Sequence, residues 1–521
     1  MRSARIACTL LAVATMPLVM SRDVSAQTFR TDDPVIRQMW TLGMERSQTE
    51  DLAQILTDFI GPRLAGSPNL DAAADWALGK FEEWGVPARK EQYGTWNGWQ
   101  FGATHVDLVA PRVQTLEAEV LAWSPGTGGP MEGDVLIVPE FSSETAATEW
   151  LPSVQGKIVL VSAPEPMCRA PYELETNATP ETVERLAQQR RDLQSDYRQR
   201  LTHFGRGATQ RLADAGAAGI ISSSWSSGWG VNKVFSASTR DVPSVDLSCE
   251  DYGMVFRMAE KGQGPRIRMN IEAEDLGEMP QFNVLAELRG SELPDEYVLL
   301  GAHLDSWHAA TGATDNATGS VMMMEAMRIL KAAYPNPRRT IIVGLWGPEE
   351  MGLIGSGTFR EDHPEVMEGL QAAFNQDNGS WRIERIEAQG LLYAGQHIAR
   401  WVSQVPDEIA RHITLEFPGG QNNSGSDHTS FLCTGAPSFR LQAAYDEYRQ
   451  YTWHTNRDTY DKIVFDDLKN NATLAAMLAY AASEDPERVP RDRTVLPIDP
   501  RTGEPRRWAQ CGTPRRSGGG E

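Results

Sequence analysis

Cysteine is scarce in this chain of 521 residues: there are five, with no C-x-x-C pair among them. That excludes a dense disulfide framework. Beyond the N-terminus no stretch reaches about 18 uninterrupted apolar residues, so no membrane-spanning helix is expected. Positive charge is in deficit, with Lys+Arg 49 against Asp+Glu 70 and a formal charge of −21. Such an excess repels phosphate backbones and anionic lipid, and no basic helix or aromatic-interleaved basic stripe overturns it. Nucleic acid is therefore not an expected partner. A repeat of fixed period is also missing. What is present, 41% hydrophobic and 23% charged residues, is ordinary for a packed globular protein, and the length suggests more than one domain.

The first 26 residues stand apart. Arg2 and Arg5 precede an apolar run from Ile6 to Met20, and Val24-Ser25-Ala26 comes before Gln27. This pattern is that of a cleaved secretory signal, and it predicts a secreted or periplasmic protein with no stable membrane insertion after cleavage. The competing reading is an uncleaved interfacial anchor. Cleavage leaves 46 basic against 69 acidic residues, a charge of −23, and four cysteines, Cys168, Cys249, Cys433 and Cys511. In an oxidising compartment these allow one disulfide and require none.

Within residues 31 to 92, Leu70, Ala74, Ala77, Leu78 and Phe81 recur at helical spacing behind the loop Gly61 to Pro68, predicting an amphipathic helix. From about 119 to 272 the texture changes to short apolar runs, Val135 to Val138, Ile158 to Val161 and Gly219 to Ile221, which read as strands of a small separate domain. A polar, Gln/Arg-rich stretch from Glu181 to Asp214 favours a solvated helix ending at Ala215-Gly216. After Pro280, strand and helix alternate: Val284 to Leu288, Tyr297 to Ala302, a helix from Gly319 to Ala333, then Thr340 to Trp346. Such alternation predicts an α/β fold, a mixed, mostly parallel sheet flanked by helices, with ligands beyond the carboxyl ends of the strands. The last 36 residues, from Pro486, read as an irregular tail.

The chemistry-bearing motifs sit where predicted strands run out. One strand delivers Gly301-Ala302-His303-Leu304-Asp305-Ser306, and twelve residues after His303 comes Asp315. An extended His-x-Asp puts both side chains on one face, so that Asp305 can receive one imidazole N–H while the other nitrogen meets a metal. Alone, His303 reads as a hydrogen-bonded loop histidine and Asp315 as a helix cap. The next strand ends in Gly347-Pro348-Glu349-Glu350, two adjacent carboxylates that are costly to desolvate together without a cation or proton nearby; a solvated pair at a helix start is the plainer alternative. A third apolar run brings Asp377. Later, His454 is followed at four residues by Asp458, a second His/Asp pairing among only nine histidines. Together these supply two imidazoles and several carboxylates, a set suited to zinc. Five ligands exceed the three protein ligands of one catalytic zinc, so two Zn(2+) per chain are implied, with one carboxylate shared.

Here the sequence resembles the zinc-dependent exopeptidases with two co-catalytic metals, particularly the carboxypeptidase Q-like branch, related to bacterial leucine aminopeptidases and glutamate carboxypeptidase. The resemblance covers roughly residues 40 to 480, and its most specific parts are G-A-H-L-D-S-W, T-D-N-A-T-G, W-G-P-E-E-M-G and H-T-N-R-D-T. It implies that His303 and Asp377 hold one zinc, that Glu350 and His454 hold the other, that Asp315 bridges them, and that Glu349 is the general base, with Asp305 assisting at the catalytic centre. It also implies that 119–272, with G-K-I-V-L-V and A-G-A-A-G-I-I, is an inserted small β-rich domain of the protease-associated type, leaving 27–118 and 273–485 as the two parts of the catalytic domain and 486–521 as the tail. The helical excursion at 181–214 is longer than that insert usually carries. Trp453 stands where several relatives place an oxyanion-stabilising tyrosine, which leaves the indole N–H, Tyr451 or Tyr448 as candidate donors. Gly425-Ser426-Asp427-His428 resembles a family loop near the active site.

The expected activity is hydrolysis of peptide bonds near a chain terminus, of the aminopeptidase or dipeptidase type, on a peptide substrate; a homodimer is compatible with the sequence. Two rival readings share the fold. One is a non-catalytic receptor-like or binding protein, which retention of all the candidate ligands and Glu349 argues against. The other is a glutaminyl cyclase-like single-zinc acyltransferase, which the presence of His303 disfavours.

Overall fold

The computed structural model describes residues 31–421, 425–445, 447–508 and 510–518; the secretory signal expected at 1–26 lies outside them. The expected helix is present as α1 (Pro68–Glu83), started by Pro68 at the first turn and by the Ser67 side chain accepting the Leu70 N–H, and burying Leu70, Ala73, Ala74, Ala77 and Phe81.

Strands follow in chain order: β1 (Ala88–Ala110), β2 (Met131–Ile137), β3 (Ile158–Leu160), β4 (Gly219–Ser222), β5 (Ser244–Leu247), β6 (Arg266–Leu288), β7 (Leu293–His303), β8 (Arg339–Trp346), β9 (Leu370–Asn375) and β10 (Ser438–Gln442). Their lateral order is β10-β9-β7-β8-β6-β2-β3-β4-β5. Neighbours run parallel from β10 through β9 and β7 to β8, and again from β2 through β3 and β4 to β5. Between these parallel blocks lies β6, antiparallel to β8 through Val284–Leu288 and to β2 through Arg266–Met269. The sheet is thus mixed and mostly parallel around the strands that carry the candidate residues. β8 and β9 are buried along their whole length, as parallel strands covered on both faces must be.

The long strand β6 pairs along nearly all its length with β1, which no apolar run announced. Pro280 sits inside it, opposite Thr95, where no other strand needs its N–H. Two helices, α2 (Thr318–Ala333) and α3 (Phe465–Glu484), cover one face, and their apolar sides form one core with Val298, Leu300, Ile341, Val343 and Phe374. A second core gathers Trp99, Leu108, Val159, Ile221, Val245, Tyr252 and Ile267 around β2 to β5.

The polar stretch 181–214 forms two helices, Pro180–Thr202 and Ala208–Asp214, instead of one. The break falls at Gly205 and Gly207, both in the left-handed region that favours glycine. Nor is the longer helix wholly solvated, since Tyr197 is buried and its hydroxyl donates to the Leu160 carbonyl at 2.6 Å. Cys168, Cys249, Cys433 and Cys511 are all paired, as Cys168–Cys249 and Cys433–Cys511, two disulfides where the sequence allowed one and required none. Among the described residues no helix is long and apolar enough to cross a membrane.

Candidate active site

Four adjacent parallel strands, β10, β9, β7 and β8, end on the same side, which is where this architecture places ligands. His303 is the last residue of β7, Glu349 and Glu350 follow β8, Asp377 follows β9, Asp315 precedes α2, and His454 lies twelve residues beyond β10. All five candidate ligands converge. His303 Nε2 is 3.2 Å from Asp377 Oδ1 and 3.4 Å from Asp315 Oδ1. His454 Nε2 is 2.9 Å from Glu350 Oε2 and 3.3 Å from Asp315 Oδ2. The result is two ligand groups, His303/Asp315/Asp377 and Asp315/Glu350/His454, each with its donor atoms within 4.8 Å of one another and with Asp315 common to both.

The donor chemistry suits a pair of dications. Asp315, Glu350 and Asp377 have side chains that are only 5 to 8 % exposed, and three clustered carboxylates at that burial repel one another strongly unless positive charge lies between them. Asp315 Oδ2, Glu350 Oε1 and His454 Nδ1 have no hydrogen-bond partner among the described residues. Two imidazoles and three carboxylates form a nitrogen/oxygen set that zinc accepts readily.

Protonation follows the same crowding. Burial opposes the charged form of His303, and its three aspartates outweigh it, raising its pKa well above the usual value. Burial likewise opposes charge on His454, yet Glu350 and Asp315 bring it to about 10. Glu349 is pushed well above the carboxylate range, first by burial, and Glu350 to about 7 for the same reason.

Asp305 is fully buried and does two jobs. Its carboxylate lies 3.4 Å from His303 Nδ1, which is 3.1 Å from the Asp305 main-chain carbonyl. Its Oδ1 and Oδ2 accept the N–H groups of Glu349 and Glu350 at 2.9 and 3.2 Å. Asp458 does not partner His454, as the His-x3-Asp spacing suggested. Its two oxygens accept the Thr314 and Asp315 N–H groups at 2.8 and 3.0 Å, so it fixes the turn that carries the shared ligand. In that turn Gly312 has φ +58, and a Cβ there would meet Ser306 Cβ at 2.3 Å, which is why the segment needs glycine.

Several contributors were given no role by the sequence. Arg63, completely buried, donates to the carbonyls of Leu304, Thr311 and Gly312 at 2.7 to 2.9 Å and ties the His303 loop to the Asp315 loop; burial lowers its pKa to about 10. Trp307 Nε1 donates to Glu350 Oε2 at 3.0 Å. Phe235 and Trp307 flank His454, with ring centres 5.4 and 5.9 Å away. The loop around Phe235 is joined to the His454 loop by main chain, the Val234 N–H donating to the His454 carbonyl at 3.0 Å, and by Asn232 N–H donating to Asn456 Oδ1 at 3.0 Å.

Of the three oxyanion candidates, Trp453 is stacked on His454 at 3.8 Å between ring centres, and Tyr451 is only partly buried. Tyr448 is buried beside Asp315, Asp377 and Glu350, whose charges add to burial in raising its pKa far above the ordinary phenol value. Asp427 and His428 are completely buried, and neither side chain has a hydrogen-bond partner among the described residues. Burial raises Asp427 to about 7 and lowers His428 to about 3.

Residues 283–479 match the model of peptidase family M28, a span that contains every residue of the two ligand groups. The chain is 25% identical to carboxypeptidase Q of Mus musculus over 92% of its own length and 97% of the relative's. Among solved structures, a peptidase M28 precursor from Shewanella amazonensis is 25% identical with a TM-score of 0.63, covering 88% of this chain and 97% of that one. BSAP, a zinc aminopeptidase from Bacillus subtilis, shares the fold at a TM-score of 0.54 and 17% identity, over 85% of this chain and 96% of its own.

Proposed function

We propose that this chain, a zinc metallopeptidase with the catalytic domain of peptidase family M28, is an exported di-zinc exopeptidase acting on peptide bonds near a chain terminus. The observation that carries the reading is the pair of ligand groups joined through Asp315, with the partly buried Glu349 beside them. His303 and Asp377 would hold one zinc, Glu350 and His454 the other, and Asp315 would bridge. Bound zinc supplies a Lewis acid for the substrate carbonyl and lowers the pKa of a water held there.

The chain's own residues carry the rest. Glu349 takes the proton of the attacking water at its carboxylate and passes it to the nitrogen of the leaving amine. A base that works near neutrality must have a proton affinity above that of a free carboxylate, and burial acts on Glu349 in that direction. Asp305 keeps His303 oriented and holds the main chain of Glu349 and Glu350, so base and ligand stay apart though adjacent in sequence. Tyr448 donates its phenol O–H to the oxygen that becomes negative as the carbonyl is attacked, the place several relatives give to the residue before the last histidine.

Residues 119–272 are read as a protease-associated-like insert within a catalytic domain formed by 27–118 and 273–485, a reading supported by the second core. Phe235, on that insert, partly walls the site and favours substrates with a free terminus. Export is supported by the N-terminal segment and by two disulfides. The test is an assay on amino-acid anilides, dipeptides and doubly blocked peptides with zinc content measured on the same sample. Cleavage of the free-ended substrates with two zinc ions per chain is expected. Efficient internal cleavage of blocked peptides, or one zinc in fully loaded protein, would contradict it.

A further inference from the structure

His454 presents its imidazole from a strained backbone. Its φ is +58, in the left-handed region that a residue with a side chain adopts chiefly where its surroundings impose it. Those surroundings come from a distant part of the chain. Residues 232–234 lie antiparallel to 454–456: the Val234 N–H donates to the His454 carbonyl at 3.0 Å, and the Asn456 N–H to the Asn232 carbonyl at 3.1 Å. Side chains close the same contact, the Asn232 N–H donating to Asn456 Oδ1 at 3.0 Å and Asn456 Nδ2 to the Gly230 carbonyl at 3.1 Å.

Asn232 is itself held by Asp246, on β5. Asp246 is 1% exposed; its Oδ1 accepts the Asn232 side-chain amide and, at 3.1 Å, the Ser224 N–H, while its Oδ2 accepts the Ser222 hydroxyl at 2.7 Å. The same Asn232 amide also donates to the Leu247 carbonyl. A carboxylate so deeply buried is costly unless its oxygens are hydrogen-bonded. Its donors among the described residues are a hydroxyl, a main-chain N–H and an amide, with no cation. One of the three belongs to the residue that grips the His454 loop.

We infer that Asp246 is a positioning residue for the Asp315/Glu350/His454 group: by hydrogen-bonding Asn232 it holds the 454–456 turn, and so governs how tightly that group binds a divalent metal. The inference deepens the di-zinc reading and rests on it. His303 and Asp377 are placed by β7 and β9, and Asp315 by the turn before α2, without the 230–234 loop. Loss of Asp246 therefore acts on one metal and spares the other. Acceptance of hydrogen bonds, and not charge, carries the role. In D246N the amide oxygen accepts from Asn232 and Ser224 while the amide nitrogen donates to the Ser222 hydroxyl; D246A leaves all three groups without their partner.

The test is a zinc titration of the full chain against a competing chelator, resolving two binding steps. In D246A and in N232A one zinc should bind 10- to 100-fold more weakly than in the parent, the loss typical of removing an orienting partner, with the other unchanged. D246N should bind both as the parent does. E350Q identifies the ion, because adding D246A to it should leave the affinity of the remaining zinc unchanged. If D246A does not fold, N232A, which leaves Asp246 two of its donors, supplies the readout. Parent-like binding in D246A and N232A, both ions weakened alike, or a loss as large in D246N as in D246A would overturn the positioning role and leave the di-zinc reading intact. A single binding step in the parent would instead remove the di-zinc reading and the inference with it.

Discussion

Asp305 holds Glu349 by its main chain: the Oδ1 atom accepts the Glu349 N–H at 2.9 Å while the same residue's carbonyl lies 3.1 Å from His303 Nδ1. One buried residue therefore spans the end of β7 and the end of β8, and it sets the spacing between a candidate ligand and the candidate base. Replacing it with alanine leaves the Glu349 and Glu350 N–H groups without their acceptor and removes the carboxylate 3.4 Å from His303 Nδ1, while the main-chain carbonyl remains. Asp305→Ala is expected to weaken zinc affinity 10- to 100-fold, the usual cost of losing an orienting partner. Activity should stay below that of the parent at saturating zinc, because Glu349 is displaced as well. Parent-like zinc titration and turnover would show that Asp305 orients neither residue.

Glu349 and Glu350 are alike in the sequence and different in the site. Glu349→Gln keeps every proposed ligand, so turnover should fall on the order of a hundredfold to ten-thousandfold with both zinc ions retained. Glu350→Gln replaces a ligand with a neutral amide and should lose one metal. Elemental analysis of both variants reads the difference. Zinc lost from the first and kept in the second would reverse the roles.

Activity should disappear in a strong chelator and return with zinc or cobalt, since the nitrogen/oxygen set accepts both. Full activity after exhaustive chelation would remove the metal from the mechanism.

The Cys433–Cys511 disulfide joins the tail to the turn before β10 across 78 residues, and Arg516 then pairs with Asp362 at 2.7 Å. Cys433→Ser with Cys511→Ser should lower unfolding stability by about 2–5 kcal/mol, as loss of a native cross-link closing a long loop generally does. Unchanged denaturation midpoints would mean that the non-covalent contacts of the tail suffice.

His363 Nε2 lies 2.8 Å from Glu91 and Nδ1 3.2 Å from Glu365. The bond to Glu91 raises its pKa above the ordinary 6.5, and the same bond, against burial, lowers that of Glu91. A raised histidine contributes stability that is complete below the unfolded pKa and is lost as pH rises through the folded one. The depressed Glu91 contributes above its ordinary 4.5 and loses that as pH falls. Denaturation followed from pH 5 to 9 should show stability declining above pH 6.5, and His363→Gln should flatten that decline. The same slope in parent and variant would assign the titration to another group.

His303, Glu350 and Asp377 were legible because each lies at or just after the end of a strand buried towards its end, so that periodicity stopped where chemistry began. Glu349 and Glu350 stood out because paired acids after Trp346 contradict a buried environment without a cation. Asp458 misled: spacing placed it near His454, while the turn at Thr314 had the stronger claim on its two oxygens. The β1/β6 ribbon was hidden because its exposed residues break apolar runs and Pro280 mimics a boundary. Arg63 and the loop around Phe235 had no local signal, since the carbonyls and the His454 loop they bind lie some 220 to 250 residues away and only the fold brings them together.

That distance orders events in time. The main-chain bond from Val234 to His454 and the side-chain bond from Asn232 to Asn456 cannot form until the chain has been delivered almost to its end, and contacts so far apart in sequence close late. As the chain is made, His303, Asp315, Glu350 and Asp377 emerge together, while His454 and the loop that clamps it arrive separately. The group His303/Asp315/Asp377 is thus delivered before the last hundred residues, whereas Asp315/Glu350/His454 waits for them, so the site is assembled only once the chain is whole.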